Sequence, residues 1–159
     1  MIYIDDGLKE TFKYAFPILK KYNIKAVWAL CPNLIGKIRH DKERMSWEDI
    51  KNLVSDGQFI ASHTLNHIKM KGFAESKSEI IESKEILGKT LGIKIERFVY
   101  PYDFQPSKEI QELVNKTYSD IRKFNKFAFH LISPKTIKFY EWFHTPEFFE
   151  EYVKNETKN

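Results

Sequence analysis

Apolar residues along the chain gather in two kinds of run that take turns. Ile2 to Ile4, Ile24 to Leu30, Phe59 to Ala61 and Phe98 to Tyr100 are short and rich in β-branched or aromatic residues, as strands are. Between them lie longer stretches with helical spacing. Leu8 to Tyr22 sets Phe12, Ala15, Phe16 and Leu19 on one face, and Pro17 inside it predicts a kink or a boundary. Ser46 caps a predicted helix from Trp47 to Val54, with Asp49 at its third position and Gly57 past its end. Glu75 to Leu91 carries Ile80, Ile81, Ile86, Leu87 and Leu91 and is closed by Gly92. Ser107 opens another helix through Ile110, Leu113 and Val114. Phe127 to Ile132 and Tyr140 to Phe143 read as late strands. Thr145-Pro146-Glu147 reads as the start of a last helix reaching about Lys154, followed by a polar tail over 155–159. Strands alternating with helices predict an α/β fold on a parallel sheet, open or closed into a barrel.

In such folds the chemistry gathers beyond the carboxyl ends of the strands. Asp5-Asp6, His63 and Pro101-Tyr102 all fall at predicted strand ends. His63 and His67 are four residues apart, a spacing that lets both rings face one way. Alone, such a pair more often packs a helix or sits in solvent, and Asp-Asp-Gly more often makes a turn. Together at strand ends, two imidazoles and a carboxylate make a ligand set for a catalytic divalent metal with one position left for water. Zn²⁺ is the first choice, and Co²⁺, Ni²⁺, Mn²⁺ or Fe²⁺ also suit such donors.

Composition narrows the picture less. At 159 residues, 42% hydrophobic and 30% charged, the chain fits one domain with a real core and is too apolar for a disordered protein. Its 26 Lys and Arg against 22 Asp and Glu are interspersed, which suits solvated helix faces rather than a nucleic-acid footprint. The single cysteine, Cys31, has no intrachain disulfide partner and reads as a buried thiol. No secretion signal and no membrane-spanning run are visible, so the expectation is a cytoplasmic protein, unless a leader has been removed.

Three segments also carry a resemblance. Tyr3-Ile4-Asp5-Asp6-Gly7 resembles the first motif of the polysaccharide deacetylases (the NodB-homology domain, carbohydrate esterase family four). Gly57 to His67, ending Ser62-His63-Thr64-Leu65-Asn66-His67, is similar to the second, and Phe98-Val99-Tyr100-Pro101-Tyr102 to the third. The resemblance implies a distorted or incomplete (β/α) barrel of about five to seven parallel strands. It implies Asp6, His63 and His67 as metal ligands and Asp5 as general base. It also implies that the Tyr102 backbone N–H helps hold an oxyanion, with Pro101, Tyr102 and Trp142 walling the groove. His144 would be the general acid, with His130 as the alternative. The substrate implied is an N-acetylated glycan, with no nucleic-acid or membrane partner.

The chain departs from the family pattern in two places. The arginine familiar in the third motif is missing, and Arg97, just before that motif, would orient Asp5 only if the backbone there were irregular. No clear fourth motif follows. Ser119-Asp120-Ile121-Arg122 lies in that region, where Asp120 or Arg122 could stand in. These gaps leave room for an alternative, a catalytically degenerate protein of the same fold that binds a glycan or another protein.

Overall fold

The computed structural model describes residues 1–122 and 145–157. Its strands and helices alternate in chain order as β1 (Tyr3–Ile4), α1 (Lys9–Lys21), β2 (Val27–Leu30), a hairpin of β3 (Ile38–Arg39) and β4 (Lys42–Glu43), α2 (Trp47–Ser55), β5 (Phe59–Ser62), α3 (Phe73–Leu91), β6 (Arg97–Val99), α4 (Lys108–Thr117), β7 (Asp120–Arg122) and α5 (Pro146–Glu156). Five strands form one parallel sheet in the order β1-β2-β5-β6-β7, curled into a half barrel. Each connection within it crosses over through a helix, as parallel neighbours require.

Strand alternation divides the side chains between two faces. Trp28, Leu30, Ile60 and Phe98 point outward and join Leu19, Leu53, Ile80, Leu87 and Val114 of the helices in the main core. Val27, Ala29, Ala61 and Val99 point inward and make a second, smaller cluster beside Tyr3 and Phe59. Small residues on the concave side let the sheet curl. Helix α5 returns to the start of the chain: Phe149 and Val153 enter the main core, and Glu150 accepts from Lys21 Nζ at 2.7 Å and from the Tyr22 hydroxyl at 2.8 Å.

Local signals fall where the residues predict them. Ser46 and Asp49 form a reciprocal capping box on α2. Gly92 closes α3 in the left-handed conformation, φ 67°, where a side chain would be strained. Helix α1 continues through Pro17 instead of ending there, and α5 runs to Glu156, two residues into the stretch expected to be tail. Strand β7 and the β3–β4 hairpin were not predicted. The expected strands at 127–132 and 140–143 lie outside the described residues. Among the described residues no helix is long and apolar enough to cross a membrane.

Candidate active site

At the carboxyl ends of β1, β5 and β6 three loops converge. The chain leaves β1 through Asp6 and Gly7, both with positive φ, 70° and 61°. A Cβ on Gly7 would come to 3.0 Å from Leu30 Cδ2, so the close approach as well as the dihedral suits glycine. The loop after β5 holds Thr64 at φ 65° and His67 at φ 57°, and the one after β6 holds Tyr102 at 59° and Asp103 at 49°. Five of the eight described non-glycine residues with positive φ therefore sit in these loops. Each costs on the order of 1–3 kcal/mol, and such strain persists only where the surroundings hold it. Thr64, branched at Cβ, is the most telling.

The strained loops bring Asp6, His63 and His67 together, with one candidate ligand atom from each and all within 4.8 Å of one another. Asp6 Oδ1 lies 2.9 Å from His67 Nε2 and 3.8 Å from His63 Nε2. His63 is buried, and its Nδ1–H donates to the Val99 carbonyl at 2.8 Å. That bond fixes the tautomer and leaves the Nε2 lone pair aimed at Asp6. Burial pushes the His63 pKa down to about 4, so the ring is neutral near pH 7, the form a metal needs. Two imidazole nitrogens and a carboxylate oxygen converging from fixed loops fit a divalent ion.

Asp5 lies beside this cluster but turns inward, buried. Arg122 Nη2, from β7, donates to its Oδ2 at 2.6 Å. Asp5 Oδ1 is buried with no hydrogen-bond partner among the described residues, a costly arrangement for an acceptor held in place. The Arg122 guanidinium also lies over the Tyr3 ring at 5.2 Å. Arg97 does not take this role. It lies over Phe59 at 4.1 Å and pairs with Asp120 at 2.9 Å. Arg122, considered only as a stand-in for the fourth motif, instead makes the contact expected of the missing third-motif arginine. It does so across the sheet, because β1 and β7 are its two edges.

Pro101 is buried and Tyr102 is about half exposed, its ring 4.5 Å from that of His67. Lys69 Nζ sits over the same tyrosine at 5.3 Å. Trp142, His144 and His130 lie outside the described residues. Cys31 is buried and gives its thiol hydrogen to the His63 carbonyl; burial raises its pKa well above the ordinary thiol value, so it is held as a thiol.

Three supports of the ligand loops had not been singled out. Arg44 Nη1 donates to the Asp6 carbonyl at 2.6 Å and Arg39 Nη1 to the Asn66 carbonyl at 2.8 Å, so the hairpin steadies both loops. Glu79 of α3 holds the backbone between the histidines. A signal for Glu79 did exist: it interrupts the buried stripe Ser76, Ile80, Ser83 and Leu87 with a carboxylate.

A parallel half barrel with an Asp-His-His cluster that could hold a metal ion at its strand ends defines the class of fold. The family model described as "Polysaccharide deacetylase" matches residues 1–121, and the chain belongs to that family. It is 33% identical over 88 residues, 54% of its own length, to YxkH of Bacillus subtilis (strain 168), a protein named for the polysaccharide deacetylases. Its fold resembles IcaB from Ammonifex degensii, with TM-score 0.67 and 23% identity over 73% of this chain. It also resembles the Streptococcus pyogenes deacetylase PplD, with TM-score 0.65 and 20% identity over 81% of this chain. The chain spans 30% of the length of YxkH, 56% of the IcaB chain and 53% of the PplD chain.

Proposed function

We propose that this chain is the catalytic part of a metal-dependent hydrolase that removes acetyl groups from an N-acetylated sugar or polysaccharide. One observation carries the reading. Beside a convergent Asp6, His63 and His67 set, a buried Asp5 is gripped by Arg122 on one oxygen and left open on the other. Metal ligands alone would serve a binding protein, but a second carboxylate oriented in this way is what a general base needs.

Asp6, His63 and His67 would hold the ion, with Zn²⁺ the first choice. When bound, it would polarise the amide carbonyl and bring the pKa of a water toward neutrality. Asp5 takes the proton of the attacking water at Oδ1, while Arg122 keeps Oδ2 occupied and the carboxylate in one orientation. The Tyr102 N–H faces the negative charge that develops on the carbonyl oxygen, a contact of a kind that contributes about 2.7–4 kcal/mol. The exposed Tyr102 ring would offer a sugar a wall beside buried Pro101; Trp142 is assigned to the same wall on motif context alone. His144 returns a proton to the leaving amine, with His130 the second choice; both assignments rest on motif context.

The alternative, a degenerate protein that only binds a glycan or protein, draws its support from the missing arginine and the missing fourth motif. Arg122 weakens the first of these by supplying the contact to Asp5 from another strand. The test measures metal content and acetate release from N-acetylglucosamine oligomers, with and without chelator, in the wild type and in Asp5→Asn. Chelator-sensitive release is expected, falling roughly 10²–10⁴-fold in Asp5→Asn with metal content kept. Full metal occupancy with no turnover on a broad panel of amides would favour the binding protein.

A further inference from the structure

Glu79 is a buried carboxylate that pairs with no Lys or Arg among the described residues. Its charge is met by hydrogen-bond donors alone. The main-chain N–H groups of Leu65 and Asn66 both donate to Oε2 at 2.8 Å, and Asn66 Nδ2 donates to Oε1 at 2.7 Å. All three donors lie between His63 and His67. The same short segment is held from its other sides. Asn33 Nδ2 donates to Asn66 Oδ1 at 2.9 Å, and the Asn33 N–H to the Leu65 carbonyl at 3.2 Å. Arg39 takes the Asn66 carbonyl.

The segment needs such holding. Thr64 and His67, both in the left-handed region, bracket Leu65 and Asn66, and a loop with two such residues relaxes when its supports are removed. His63 is anchored separately through Val99. Among the described residues the His67 ring meets Asp6 and the rings of His63 and Tyr102, with no backbone carbonyl holding it as Val99 holds His63, so its position depends on the backbone just before it. Hydrogen bonds to an ionised acceptor are the strong kind, and Glu79 makes three at one place.

We propose that Glu79 is the positioning residue of the metal site: by clamping Leu65 and Asn66 from α3 it aims His67 at Asp6 and sets how tightly the chain holds a divalent ion. The inference rests on the reading of Asp6, His63 and His67 as a metal site. It assigns Glu79 no contact with the ion.

The test is Zn²⁺ affinity of the whole chain, by competition with a chromophoric chelator, alongside thermal melting of the metal-free protein. Glu79→Ala is expected to weaken Zn²⁺ binding about 10–100-fold, the usual cost of removing an outer support. Asn66→Asp sets a second carboxylate against Glu79 and is expected to weaken binding similarly. Adding Glu79→Gln to Asn66→Asp exchanges donor and acceptor across the contact and is expected to recover most of the affinity. Recovery by the exchange is an outcome that general loosening of the fold would not give, and it keeps the test usable if Glu79→Ala fails to fold. Unchanged affinity in Glu79→Ala or in Asn66→Asp, whatever the melting temperature does, overturns the clamp. A wild-type chain that takes up no divalent ion overturns the metal reading itself, and the clamp with it.

Discussion

The two faces of the central sheet are built by different rules. The outer face is Trp28, Leu30, Ile60 and Phe98 against helices, all of them essentially buried. The inner face begins with Val27, Ala29, Ala61 and Val99 and then, toward its edge, gives way to Arg97–Asp120 and Arg122–Asp5 stacked over Phe59 and Tyr3. Apolar burial is favourable wherever it occurs, so the outer face needs only size and hydrophobicity. A buried ion pair is a poor way to gain stability, since desolvation cancels much of the attraction. The difference separates two tasks: the convex side makes the fold, and the concave side carries a costly charge pair that fixes a carboxylate.

The contrast can be broken from either side. Phe98→Ala on the outer face should lower unfolding free energy by about 3–5 kcal/mol in urea titrations while the folded fraction keeps its metal affinity. Arg122→Met on the inner face should cost a comparable amount, about 3–5 kcal/mol, by leaving Asp5 buried without its partner. Unlike Phe98→Ala, it should also depress acetate release per folded molecule. If the two variants lose stability but neither loses specific activity, the inner pair is merely structural.

Smaller effects sharpen the comparison. The folded-state pKa of His63, about 4, lies below the unfolded value of 6.5. Between those values the unfolded chain binds a proton that the folded chain does not. The His63 contribution is therefore complete above pH 6.5 and is lost as pH falls toward 4, by roughly 3 kcal/mol. Urea midpoints of chelator-treated protein should fall over that window, and His63→Gln should flatten the slope. Smallest of all, Arg97→Met should change stability by under about 1 kcal/mol, because the Arg97–Asp120 pair is partly solvated.

Legibility follows the same division. Strands β1, β5 and β6 announce themselves: Ile2 to Ile4, Phe59 to Ala61 and Phe98 to Tyr100 are apolar runs, and their ends located Asp6, His63 and Tyr102. Strand β7 offers one apolar residue between Asp120 and Arg122, so no hydrophobic pattern marks it. The β3–β4 hairpin turns on His40 and Asp41, both left-handed, without the glycine that usually signals such a turn. The Arg122–Asp5 bond joins residues 117 positions apart, and no local spacing can encode it. The family match itself stops at residue 121, one short of that arginine. Glu79 was closer to readable, as a carboxylate on a buried helical stripe, but its partners belong to a loop whose shape the sequence does not dictate alone.

Asp5 follows directly on one edge strand of the half barrel and Arg122 stands on the other, so their bond is a clasp between its edges. A contact spanning most of the chain is among the slowest to form, because the loop between must close first. While the chain emerges from synthesis, the Asp6, His63 and His67 set is complete once residue 67 and its supports have folded. Asp5 gains its partner only after β7 arrives. On the proposed reading the molecule would acquire its capacity to hold an ion before its capacity to use one, and turnover would report whether β7 has docked.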